Sequence, residues 1–111
     1  MSREEARWRI ALARRDEQDY ASILAYTQQI FGARQATLYD DVLFNALSAL
    51  LDGPNVPGSV AREDILPGIR TLHVARGGAH ARHFILYRAN PPQTIEVLRI
   101  LHDAMDLAQH L

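Results

Sequence analysis

The chain contains no cysteine and no lysine among its 111 residues. Without cysteine there can be no disulfide scaffold, zinc ribbon, iron–sulfur site or thiol nucleophile, and a reducing compartment suits the protein. Without lysine all 12 cationic side chains are arginine, and 13 carboxylates bring the formal net charge to −1. Proteins that grip nucleic-acid backbones draw most of their affinity from an excess of cations, so this balance argues against a dedicated DNA or RNA binder. Long apolar runs are also missing: no window approaches the ~18 uninterrupted apolar residues of a membrane span. The opening Met1 to Arg7 mixes charges of both signs and has no apolar h-region, which argues against a signal peptide. What is present is a 48% hydrophobic chain. Its length suits one compact domain over residues 1–111 with a real core, expected in the cytoplasm.

The order of elements follows from periodicity. Arg7 to Leu12 alternates, with Trp8, Ile10 and Leu12 on one face, and reads as a short half-buried strand. Asp16 is placed to N-cap a helix whose first turn carries Glu17 and Asp19. Tyr20, Ile23, Leu24, Thr27, Ile30 and Phe31 then recur at helical spacing up to Gly32, a natural stop. A second helix is predicted from about Ala33 to Asp52, with Ala36, Tyr39, Leu43, Ala46, Leu47 and Leu50 inward, ended by Gly53 and Pro54. One glycine between amphipathic helices predicts an antiparallel hairpin. Residues 53–68 hold three glycines and three prolines and read as irregular loop. Strands follow at Ile69 to Ala75, His83 to Arg88 and Thr94 to Leu101, with Gly77-Gly78 as a tight turn and Asn90-Pro91-Pro92 as a break. Phe84 to Tyr87 is apolar on both faces, as a central strand requires. Asp103 to Leu111 is a short helix or tail. The predicted class is α+β, β-α-α-β-β-β with a short C-terminal helix, a mostly antiparallel sheet backed by a helical hairpin.

The sequence holds few candidates for chemistry. Of five histidines, His80 and His83 are an odd number of residues apart and should face opposite sides of a strand, while His102 and His110 are distant. No metal site and no cofactor is expected. Ser22, Ser48 and Ser59 stand in no nucleophile elbow, and Gly77-Gly78 lacks the helix that a phosphate loop needs. Metal-free RNA cleavage needs an acid, a base and cations. The sheet could supply these from Arg70, Arg82, Arg88 and Arg99 with Tyr87, His83 and His102. The ending, with Met105, Leu107 and Leu111 among polar groups, reads either as a cap on the fold or as a protein-contact element.

Four strings in fixed order resemble the ParE toxins of ParD–ParE toxin–antitoxin (plasmid stabilisation) modules, within the RelE/ParE superfamily. They are Asp19-Tyr20 through Phe31-Gly32, then Leu66-Pro67-Gly68-Ile69-Arg70, then Phe84-Ile85-Leu86-Tyr87-Arg88, and the ending Val97-Leu98-Arg99-Ile100-Leu101-His102 with Met105-Asp106 and His110-Leu111. The resemblance implies a bacterial toxin held in a hetero-oligomer by a ParD-like antitoxin, with DNA contacted only indirectly through that antitoxin. It implies DNA gyrase as the target, a non-enzymatic mode of action, and no membrane. On this reading His102, Asp106, His110 and Leu111 are the target-binding candidates, and Arg70, Tyr87 and Arg88 the antitoxin-binding ones. Antitoxin binding would bury an apolar groove beside the helical hairpin and add backbone pairing at a sheet edge. Many relatives carry arginine where this chain has Ala104 and Gln109. Two alternatives stay open: a RelE-like ribosome-dependent mRNA endoribonuclease using Arg70, Tyr87, Arg88 and His102, and an antitoxin-binding remnant without toxicity.

Overall fold

A computed structural model of the protein describes residues 7–75 and 80–105. The elements run β1 (Arg9–Leu12), α1 (Arg14–Phe31), α2 (Ala33–Ala49), a 3₁₀ turn (Leu50–Asp52), β2 (Ser59–Ala61), β3 (Ile69–His73), β4 (His83–Asn90) and β5 (Thr94–His102). The five strands form one sheet in the order β1-β5-β4-β3-β2. All neighbours are antiparallel except β1 and β5, which pair in parallel from Arg9 with Thr94 to Leu12 with Val97. The α+β class and the helical hairpin are as the sequence predicts, and β4 is central. No described helix is long and apolar enough to cross a membrane.

Two expectations need correction. β2 lies within the stretch read as irregular loop, pairing Ser59 to Ala61 with Leu72 to Arg70 at the sheet margin. The helix α1 begins two residues before Asp16, with Ala13 at the N-cap position. Asp16 instead reaches back from the first turn, and its Oδ2 accepts the Ala13 N–H at 2.8 Å. That is the return half of a capping box, since Ala13 has no side chain to complete the other half. The expected turn at Gly77-Gly78 and most of the C-terminal helix lie outside the described residues.

The hairpin packs its inward stripe on one face of the sheet. Leu43, Ala46, Leu47 and Leu50 meet Leu72, Ile85, Tyr87, Ile95, Val97 and Ile100 in one buried cluster. These β5 residues are not in phase: Ile95 and Val97 are odd-numbered and Ile100 is even. A bulge resolves this. Leu86 pairs with Arg99 but Tyr87 with Val97, so Leu98 is the extra residue and Ile100 turns inward in place of Arg99. Gly53, at φ 115°, ends the second helical segment where the Trp8 indole passes closely; a Cβ there would sit 3.2 Å from the indole nitrogen.

Candidate functional site

The candidate residues fall at opposite ends of the sheet. At one end Tyr87 is fully buried on β4, and its hydroxyl donates to the Pro54 carbonyl at 2.6 Å. Arg70, its partner across β3, donates to the same carbonyl through Nε at 2.9 Å and to Ser59 Oγ at 2.8 Å. Both side chains hold the loop after α2 against the sheet. Tyr87 is therefore an internal fastener and not a surface contact, which corrects its assignment to a binding face. Arg88, next along the strand, faces the reverse side of the sheet and pairs with Glu96 at 3.1 Å.

At the other end β4 begins with His83 and β5 ends with His102, directly opposite each other, their rings edge to face at 5.3 Å between centroids. His83 and Tyr87 are four strand residues apart, about 13 Å. Arg70, Tyr87, Arg88 and His102 thus occupy two ends and two faces, and the expected nuclease quartet does not converge. His80 also reaches the histidine end, because it precedes the strand and escapes the alternation that would have turned it away. No group of three or more His, Asp or Glu among the described residues is arranged to hold a metal ion.

Asp103 ties this end together. It accepts from His73 Nε2 at 3.0 Å and from Arg82 Nε at 3.2 Å, and its own N–H donates to the Arg82 carbonyl. The His73 hydrogen bond, then that from Arg82, keeps the Asp103 carboxyl below its ordinary range. His83 is held neutral, its pKa pushed down to about 4 by burial first and by His102 and His73 next, against an opposing pull from Asp103. Between the ordinary histidine pKa of about 6.5 and that value, the unfolded chain takes up a proton the folded one refuses, so stability is full above the window and is lost as the pH is lowered through it. The side chain is only partly buried, and solvent screening leaves an effect of about 1–2 kcal/mol. Urea midpoints at both ends of the window should therefore separate more for the protein than for H83Q; equal separations would contradict the assignment. Of the remaining target-binding candidates, Asp106, His110 and Leu111 lie outside the described residues.

An apolar groove lies between the β1 edge and the two helices. Ile10 and Leu12 form one wall, Tyr20, Ala21 and Leu24 of α1 another, and Phe44 and Leu47 of α2 a third, around about 630 Å³. Leu12 and Phe44 are 41% and 63% exposed. Among the described residues β1 is an outer strand, with β5 on one side only.

Residues 10–107 match the family model described as the ParE toxin of the type II toxin–antitoxin system parDE. The chain belongs to the ParE toxin family. A solved structure described as the chromosomal ParDE TA system from P. aeruginosa shares the fold, with a TM-score of 0.68 at 21% identity over 86% of this chain and 95% of that one. No curated protein sequence matches the chain.

Within this ParE-family fold, one connection escaped the sequence reading. Asp19 of α1 receives both Arg99 Nε at 2.8 Å and a terminal Arg99 nitrogen at 3.0 Å, and also accepts the Ile100 N–H at 3.1 Å. Asp19 was visible only as an acid in a first turn, and the partner is 80 residues away. The other wall of the groove is pinned as well: the Tyr20 hydroxyl donates to the Asp40 carboxylate of α2, and burial with that carboxylate raises the Tyr20 pKa.

Proposed function

We propose that this chain is the toxin of a bacterial type II toxin–antitoxin module, neutralised in the cytoplasm by a ParD-like antitoxin within a hetero-oligomer. Free of that partner, it binds and poisons DNA gyrase through its C-terminal region, and touches DNA only through the antitoxin. The family match over residues 10–107 carries this reading. A binding rather than a catalytic mode is supported by the scatter of the nuclease candidates and by the pairing of Arg70, Arg88 and Arg99 with partners inside the fold. A net charge of −1 points the same way.

His102, Asp106, His110 and Leu111 are proposed as the gyrase contact. The groove between β1 and the hairpin is proposed as the antitoxin contact, where an amphipathic segment would bury Leu12, Leu24 and Phe44 and could pair with the free side of β1. Arg88, on the reverse face, extends the antitoxin surface, while Arg70 and Tyr87 serve it from within by fixing the Pro54 loop.

The deciding experiment induces the chain alone in a bacterium and follows thymidine and amino-acid incorporation over the first minutes. DNA synthesis should fall first, and co-induction of the antitoxin should prevent it. A prior fall in protein synthesis would overturn the gyrase reading in favour of mRNA cleavage. No change in either, with the antitoxin complex still forming, would leave an antitoxin-binding remnant.

A further inference from the structure

The cavity at the histidine end shares only His102 with the residues proposed for the toxin's contacts, and its polar groups are one-sided. His73 and His102 each present Nδ1 to a backbone amide, that of Ala75 at 3.0 Å and of Ala104 at 3.1 Å. An amide N–H can only donate, so both rings accept at Nδ1 and carry their proton on Nε2. Asp103 Oδ1 also stands 3.6 Å from His102 Nδ1, but an ion pair there would need the proton that the closer Ala104 amide excludes. At His83 the partner of Nδ1 is the Tyr39 hydroxyl, at 2.6 Å. The Tyr39 oxygen already accepts the Arg82 N–H at 3.0 Å, and its proton has no other acceptor among the described residues. The arrangement that satisfies the hydroxyl proton within the fold has Tyr39 donate to His83 Nδ1, which makes His83 too an Nε2–H donor.

The three donors then have different fates. His73 spends its Nε2–H on Asp103. Those of His83 and His102 meet no acceptor among the described residues, and both rings line a cavity of about 510 Å³ between the hairpin tip and the sheet end. Arg82 engages Asp103 through Nε alone, leaving its terminal nitrogens for the rim. The exposed rings of Tyr26 and Phe31 form the opposite wall, and no carboxylate among the described residues lines the space. Directed donors, a nearby cation and aromatic surface complement a flat apolar body that carries an anionic acceptor.

We propose that this cavity is a binding site for a small aromatic carboxylate, its ring against Tyr26 and Phe31 and its carboxylate on the Nε2–H groups of His83 and His102, with Arg82 as counter-ion. The low pKa of His83 keeps this ring neutral, with its donor fixed, at physiological pH. A nucleic-acid strand fits less well, because a single arginine cannot follow a phosphate backbone. The site lies beside Asp103, where the chain leaves β5, so occupancy would be felt at the start of the C-terminal segment.

The test is a titration of the purified full chain with indole-3-acetate, read at the imidazole resonances of His83 and His102, with indole-3-acetamide as the uncharged control. Saturable shifts at both rings are expected, with the amide at least about 10-fold weaker, the loss of a charge-assisted hydrogen bond. H102Q should weaken the acetate by about the same factor, and the wild-type comparison of acid with amide needs no variant to fold. Absence of saturation, equal binding of acid and amide, or shifts confined to other residues would overturn the proposal. Neither result depends on whether gyrase is the target.

Discussion

Asp19→Ala should lower the unfolding free energy by about 3 kcal/mol, more than its place in the first turn of a helix would suggest. The reason is where β1 ends. Its parallel pairing with β5 stops at Leu12 with Val97, and the chain turns away into α1. The β5 backbone beyond that point would present an unpaired N–H at Ile100 if Asp19 did not accept it. The same carboxylate takes both nitrogens of Arg99, and the two side chains are only 19% and 13% exposed. Removing Asp19 thus strands a largely buried guanidinium and a backbone donor together, each costing more than the net worth of a hydrogen bond. Arg99→Leu should cost less, because Asp19 keeps the Ile100 amide. In the double variant part of the loss should return, giving a coupling of at least about 1 kcal/mol. Urea unfolding of the four proteins in the cycle measures this. A loss below about 0.5 kcal/mol for Asp19→Ala would show the pair to be an ordinary surface contact.

The same residues show how far the sequence could be read. The hairpin was legible because its signals are local: Ala36, Leu43, Ala46, Leu47 and Leu50 repeat at helical spacing, and Gly32, at φ 95°, accommodates the sharp stop between the helices. The bulge was legible in principle, since the switch from odd to even apolar positions after Val97 requires one extra residue in β5. β2 was not. Its three residues include one large apolar side chain, Val60, which is 54% exposed, so no burial pattern marks it and only pairing with β3 defines it. Asp16 was read as a cap because acids are favoured at both positions, and only backbone geometry separates the N-cap from the reach-back role. The candidate sites divide along the same line. Tyr87 and Arg70 looked like surface chemistry because tyrosine and arginine are usually exposed in part. Their partner is a carbonyl in a loop whose path no periodicity predicts. His83 and His102 come together through strand register, which is a property of the pair and not of either segment.

Phe44→Asp should weaken antitoxin binding by about 30- to 1,000-fold while leaving the toxicity of the free chain unchanged. Phe44 is 63% exposed on the lip of the groove, so its replacement leaves no cavity in the core and should alter stability by no more than about 0.5 kcal/mol. In a complex the ring would pass from water into an apolar contact with the partner. Aromatic anchors at the centre of such contacts account for about 2–4 kcal/mol each. A carboxylate placed there has no cation among the groove residues to meet it, and Glu17 on the α1 wall adds repulsion. The change therefore acts on the partner and on nothing else proposed for the molecule, since the gyrase contact is assigned to the C-terminal region. Calorimetric titration with the antitoxin reads the affinity. In cells, antitoxin expressed at a level that rescues growth from the unmodified toxin should fail against Phe44→Asp. Phe31→Asp is the control, because Phe31 is 66% exposed but stands at the hairpin tip beside the histidine cavity. If both variants are neutralised as well as the parent, the antitoxin does not use the groove. If Phe31→Asp alone escapes, the interface lies over the hairpin tip, and the aromatic carboxylate proposed for that cavity would then compete with the antitoxin.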